Sequence, residues 1–186
     1  MGNYAKFVYT IDMKIGVISD THDKLSNIDT ALKFFSEHGV SEVVHCGDWK
    51  LVSSALHYLD VAQQFGIHTR GVLGNNDIET ASFLELNETK FKTIQLVEGV
   101  LEFRVNDTKI VAYHGHHAPT LRDTRNRTDY DFLLLGHTHK PVVDTNGNRP
   151  IVNPGSTAFS IPRSKVWVPT VAIIDTTSRS ATIYKI

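Results

Sequence analysis

Five short strand-like runs in this chain end the same way. KIGVIS (14–19) is followed by Asp20-Thr21-His22, and EVVHC (42–46) by Gly47-Asp48. IHTRGVL (67–73) is followed by Gly74-Asn75-Asn76-Asp77, KIVAY (109–113) by His114-Gly115-His116, and DFLLL (131–135) by Gly136-His137-Thr138-His139. Each run is short, with apolar and β-branched residues prominent in most of them and polar residues interspersed in EVVHC and IHTRGVL. Each reads as a buried strand. A fold that accepts this sequence must bring five strand ends, each bearing carboxylate, amide or imidazole, to one edge. In open α/β sheets that carboxyl edge is where ligands bind.

The segments between the runs agree with such a fold. Leu25, Ile28, Leu32 and Phe35 recur at helical spacing over 25–38, and Gly39 is a helix stop. Residues 51–65 read as a second helix stopped by Gly66, and 78–88 as a third. The first half is therefore β-α-β-α-β-α, with a largely parallel sheet. In the second half, Asn106-Asp107 between two alternating runs signals a hairpin. Further strands are expected at 131–135, 141–145, 150–153, 168–175 and 180–185, with TNGN (145–148) as a second hairpin turn. The expected fold class is α/β, two packed mixed β-sheets flanked by helices. Residues 13–186 are expected to form a single domain. Residues 1–12 stand apart as an N-terminal extension or an edge strand through KFVYTI.

Composition excludes several functions. A formal net charge of −1 gives no bulk attraction to nucleic acid or to an acidic membrane surface. No apolar run approaches the ~20 residues of a membrane-spanning helix. Cys46 is the one cysteine, which suits a reducing, cytoplasmic compartment.

The chemistry lies in the ligand types. Residues i and i+2 of an extended segment face the same way. On that argument Asp20 and His22, His114 and His116, and His137 and His139 can each converge on a point. Carboxylates and imidazoles without a thiol set suit divalent manganese, iron, zinc or nickel. Taken singly, Asp20-Thr21-His22 is a helix cap, Gly47-Asp48 and Gly74-Asn75 are turns, and any one histidine is a hydrogen-bonding residue. Five such clusters in the same structural slot point to metal. They hold more ligands than one ion needs, and a carboxylate such as Asp48 can bridge two.

As an ordered set, DTH (20–22), GD (47–48), GNND (74–77), HGH (114–116), GHTH (136–139) and NPGS (153–156) resemble the calcineurin-like metallophosphoesterases, in particular their small prokaryotic phosphodiesterase branch. The resemblance covers about residues 13 to 186. It implies one metal held by Asp20, His22, Asp48 and His139, and a second held by Asp48, Asn75, His114 and His137, with Asp48 bridging. Two divalent ions, with manganese expected before nickel, zinc or ferrous iron, would hold a bridging hydroxide for in-line attack on phosphorus. Asp48, Asn75 and His116 are the implied catalytic group, with Asn76 and His116 contacting a small phosphodiester substrate. The family pattern has histidine at position 76, where it protonates the leaving group. Asn76 cannot act as an acid at neutral pH, and this favours diesters over monoesters. The competing reading is an interaction scaffold, as in the retromer subunit that shares the fold. A nuclease is the alternative within the enzyme class. A homo-oligomer is left open.

Overall fold

The computed structural model describes residues 13–88, 93–147, 149–158 and 168–186. The N-terminal extension or edge strand considered for residues 1–12 lies outside these, as does Asn148 of the TNGN turn. The first half follows the expected alternation: β1 (Lys14–Ile18), α1 (Leu25–Glu37), β2 (Glu42–His45), α2 (Val52–Gln64), β3 (His68–Val72) and α3 (Thr80–Glu85). The third helix is shorter than the sequence pattern, because its last turn tightens to a 3₁₀ turn over Leu86–Glu88. Gly39 and Gly66 follow α1 and α2 with φ of 72° and 67°, the left-handed conformation a glycine stop supplies.

The second half holds β4 (Ile94–Val97), β5 (Leu101–Val105), β6 (Thr108–Tyr113), α4 (Ala118–Asn126), β7 (Phe132–Leu135), β8 (Pro141–Asp144), β9 (Ile151–Pro154), β10 (Thr170–Asp175) and β11 (Ser180–Lys185). Asn106 and Asp107 join β5 to β6 as a hairpin, with Asn106 at φ 51° and Val105 opposite Thr108. β8 and β9 pair antiparallel across the second expected turn. Two elements were not legible in the sequence. β4 is a four-residue edge strand beside β3. α4 carries so few apolar residues that only Thr124 is fully buried.

The strands form two mixed sheets, ordered β11-β10-β1-β2-β3-β4 and β5-β6-β7-β9-β8. β1, β2, β3 and β4 run parallel, with β10 antiparallel to β1. Strand alternation sorts the core into layers. Ile15, Val17, Val44 and Val72 face the second sheet and meet Ile110, Ala112, Phe132 and Leu134 there. Ile18 and Val43 face the other way, against Ile28, Leu32 and Phe35 of α1 and Tyr58 and Leu59 of α2. The outer face of the second sheet packs Val111, Tyr113, Leu133 and Leu135 near Leu121 of α4. The order is helix, sheet, sheet, helix. It turns the parallel strand ends of both sheets toward one rim.

The helix layer sits close on the first sheet because Gly16 has no side chain. A Cβ there would stand 2.8 Å from Phe35 Cε1, and the Phe35 ring is fully buried. Phe35→Ala should cost about 3–5 kcal/mol, and Gly16→Ala about 1–3 kcal/mol through overpacking. Both sites are in contact, so the double variant should cost less than the sum. Urea unfolding of the four proteins tests this; strict additivity would show that the ring does not rest on Gly16.

Candidate metal centre

Past the strand ends, the backbone does something extended strands do not. Asp20, His22, Asp48, His137 and His139 all have positive φ, between 41° and 66°. For non-glycine residues this conformation is strained and concentrates at functional sites. These residues lie beyond the ends of β1, β2 and β7. Alternation along an extended strand is therefore not what aims them; left-handed turns are. The convergence expected from spacing exists, for a different backbone reason.

Asp20, His22, Asp48 and His139 form one cluster whose ligand atoms lie within 4.8 Å of each other. Asp20 Oδ1 stands 3.0 Å from His139 Nε2 and 3.9 Å from His22 Nε2. Asp48 Oδ2 is 3.5 Å from His22 Nε2, and the two imidazole Nε2 atoms are 3.4 Å apart. Ligands about 2.1 Å from one metal ion at tetrahedral or octahedral angles lie about 3.0–3.4 Å apart. Asp20 Oδ1 is buried and, despite its nearness to His139, takes part in no hydrogen bond of sound geometry among the described residues. A buried carboxylate oxygen left this way is costly unless a cation fills the gap. The donor set fits a divalent ion.

Beside it lies a second group. His114 Nε2 is 3.3 Å from Asp48 Oδ1 and 3.2 Å from Asn75 Oδ1. Its Nδ1 lies 2.7 Å from the Cys46 carbonyl, and only an Nδ1–H can bond there. In the neutral ring Nε2 then carries a lone pair facing two oxygen acceptors. Three acceptors on one point require a proton or a cation. The His137 ring stands edge-on to His114 at 5.1 Å, and exposed His116 lies 5.5 Å from His114 on the rim. All of the residues expected at the site come to this rim. Asn76 donates to Asp48 twice, from its backbone N–H (2.9 Å to Oδ1) and its amide (2.7 Å to Oδ2).

Electrostatics follows this crowding. Burial pushes the Asp48 carboxyl up, but hydrogen bonds and charge from His114, with both Asn76 donors, prevail and hold it well below the carboxylate range. Burial lowers His22, His116 and His137. His139 is raised, chiefly by its contact with Asp20. For His114, burial lowers the value, and the nearby Asp48 and Asp20 outweigh it and raise it.

The loops are held from behind by residues whose role the sequence pattern did not reveal. Asp77 is buried and accepts from the backbone N–H of Asp48, Lys50 and Gly74, at 3.0, 2.7 and 2.7 Å. Burial raises its carboxyl to about 6, against these bonds. Asp23 accepts from Leu51 N–H and from Ser54 Oγ, tying the first loop to the second. Asn153 donates to the Gly136 carbonyl and Ser156 to the Asp20 carbonyl, so NPGS braces the loops from below. Two glycines are obligatory for contact. A Cβ on Gly74 would lie 2.2 Å from Asp48 Oδ1, and one on Gly136 2.2 Å from Ser19 Oγ.

His45 is the clearest omission. It is fully buried, stacked on Trp49 at 3.5 Å between ring centres. Gly47 N–H donates to its Nδ1 at 3.1 Å, which leaves Nε2–H to donate to Thr21 Oγ1, also at 3.1 Å. Burial lowers its pKa well below the usual imidazole value, so the ring is neutral. A polar residue inside the buried strand EVVHC was the available signal.

A profile of the calcineurin-like phosphoesterase superfamily domain matches residues 13–179. A protein named phosphodiesterase from Methanocaldococcus jannaschii is 30% identical over 168 residues, spanning 88% of this chain and 93% of that protein. A solved structure described as a novel archaeal phosphodiesterase superposes with a TM-score of 0.80 at 28% identity, covering 94% of this chain and all of that one. The vacuolar protein sorting 29 structure from Cryptosporidium parvum, with a TM-score of 0.64 and 17% identity over 94% of this chain and 97% of that one, shares the fold. The chain belongs to the calcineurin-like phosphoesterase superfamily. It is a phosphoric ester hydrolase of a metal-dependent family. Among the described residues no helix is long and apolar enough to cross a membrane.

His45→Phe keeps the stack on Trp49 and removes both loop hydrogen bonds. Metal affinity should fall about 10–100-fold, as for lost outer-shell partners, while the fold persists. Manganese titration by calorimetry, with circular dichroism for the fold, measures this. An affinity within twofold of the parent would assign His45 to packing alone.

Proposed function

We propose that this hydrolase is a phosphodiesterase that works with two divalent ions, manganese first among nickel, zinc and ferrous iron. Residues 13–186 act as one catalytic domain. The observation that carries the reading is Asp48: one carboxylate oxygen faces the His22 cluster and the other faces His114. In this reading Asp20, His22, Asp48 and His139 hold one ion. Asp48, Asn75, His114 and His137 hold the other. The ions, when bound, polarise the phosphate and make a hydroxide nucleophile available near neutral pH.

The chain's own groups do the rest. Asp48 spaces the two sites, and Asn75 contributes an oxygen without adding negative charge. His116, exposed on the rim, donates to a phosphate oxygen. Asn76 both steadies Asp48 and offers its amide to the substrate. It cannot deliver a proton to a departing alkoxide. Substrates with acidic leaving groups need that proton least, which favours diesters. The single, buried Cys46 suits a reducing, cytoplasmic setting. Every residue that the resemblance assigns as a ligand is present in the chain, so the enzyme reading is preferred over a pure interaction scaffold.

Protein reconstituted with manganese should contain two ions per chain by elemental analysis. Asp48→Asn should lower that number and reduce kcat/KM on an aryl phosphodiester by more than about 100-fold, since it strikes both sites where an outer-shell loss weakens one. Retained activity within threefold would rule out Asp48 as the bridge.

Asn76→His restores an acid at the rim. It should raise kcat/KM on alkyl phosphate monoesters relative to aryl diesters, by up to about 10²–10⁴-fold if the imidazole is well placed. The assay compares both substrates at matched metal content. An unchanged ratio, or a parent enzyme that already prefers alkyl monoesters, would show that another group supplies the proton.

A further inference from the structure

α4 covers the outer face of the second sheet loosely, and a groove lies beneath it. The larger part is a cavity of about 250 Å³. Its apolar wall is Leu121 of α4, Leu135 of β7, Val142 of β8 and Ile151 of β9. Its upper end is built by Gly115, Gly136 and Thr138, the residues interleaved with His114, His116, His137 and His139. Gly115 leaves this end open: a Cβ there would meet nothing nearer than His137 Cβ at 3.9 Å. A second cavity of about 120 Å³ continues the groove, sharing Arg125, Asp144 and Ile151 and adding Tyr130 and Arg149.

A gap left by loose packing alone would be dry and apolar. This one is lined by Arg125 and Lys140, whose exposed head groups have no partner among the described residues. Farther along, Arg149 lies 5.4 Å over the Tyr130 ring and donates from Nη1 to the Thr128 carbonyl at 3.3 Å, and its buried Nε has no hydrogen-bond partner among the described residues. Among the described residues the groove has one carboxylate, Asp144; its Oδ1 accepts from both the backbone N–H and the amide of Asn146, and its negative charge stands against three cations, Arg125, Lys140 and Arg149. The groove therefore presents an apolar wall and a net positive charge, and its upper end is formed by residues of the loops that carry the candidate ligands.

We propose that this groove is a specificity site that receives one arm of a phosphodiester substrate, an arm that combines a flat ring with a second anionic group. The assignment rests on the diesterase reading above. The ring lies against Leu121, Leu135 and Ile151. Arg125 and Lys140 hold the second anion, with Arg125 able to do so through two N–H donors. The cavity is small for a polymer and near the lower end of small-ligand pockets, so the arm is a single nucleoside-sized unit.

Three p-nitrophenyl diesters test this: the methyl ester, the thymidine 5′ ester, and the thymidine 5′ ester carrying a 3′-phosphate. The 3′-phosphorylated ester should exceed the unphosphorylated nucleoside ester in kcat/KM by roughly tenfold, mainly through KM, the scale of a hydrogen-bonded charge contact. Arg125→Gln/Lys140→Gln should erase that ratio. Equilibrium binding of thymidine 3′,5′-bisphosphate reads the groove without turnover, and the double variant should bind it roughly tenfold more weakly. Equal binding by parent and variant, or a 3′-phosphate ratio of one in the parent, overturns the groove even if all three diesters are cleaved. Failure of the metal-loaded protein to cleave the methyl ester, with bisphosphate binding still sensitive to the double variant, overturns the diesterase reading and leaves an anion-binding groove of this specificity.

Discussion

Asp48 is the point on which the site closes. Its carboxylate is buried, stands between two imidazole clusters and accepts both donors of Asn76. A buried anion is costly unless its surroundings are arranged for it. The arrangement here reaches far into the fold. The Asp48 N–H is held by Asp77, which also holds Gly74 and Lys50, and Gly47 is held by His45, which also holds Thr21. Three loops from three parallel strands are thereby fixed to one another through two buried side chains. The second sheet joins through His114, bonded to the Cys46 carbonyl, and through the His137 N–H, which donates to Asp20. The centre is thus the seam of the two sheets as well as a place of chemistry.

That seam explains why the strain is tolerated. Left-handed φ at Asp20, His22, Asp48, His137 and His139 costs free energy at each residue. It persists because each residue lies next to a strand whose register is locked in a buried sheet. Gly74 and Gly136 let the loops approach within contact of Asp48 and Ser19. The glycines of the GD, GN and GH pairs therefore have a steric reason, and after two of them the next residue, Asp48 or His137, has the strained conformation. A sequence pattern of glycine followed by ligand records both halves of one geometric requirement.

This also shows what was legible in the sequence. β1 announced itself as a buried apolar run, and β2 and β3 as short β-branched runs between a helix pattern and a Gly-Asp or Gly-Asn pair. Helices α1 and α2 did so through spacing, since each buries a single stripe. The candidate ligand residues were visible because they recur after strands. What aims them was not visible, because φ is not written in residue type when the residue is Asp or His. α4 was missed since it buries almost nothing, and β4 since four residues at an edge carry little pattern. His45 and Asp77 were read by position as strand and turn residues. Their work is to satisfy backbone N–H groups of other loops, and that pairing joins residues 2 to 29 positions apart.

The loose helix and the supporting residues belong to one division of labour. On the first sheet, α1 and α2 pack tightly, and Asp23, His45 and Asp77 lock the loops that follow β1, β2 and β3. Rigidity there preserves ligand geometry, where small displacements cost metal affinity and rate. On the second sheet, α4 is polar, buries one residue fully and leaves space beneath it. The loops after β7 and β6 are held in addition by Asn153, which donates to the Gly136 carbonyl, and by the Cys46 carbonyl, which accepts from His114. The buried seam thus fixes the candidate ligands, and the proposed groove lies under a helix that buries little of itself.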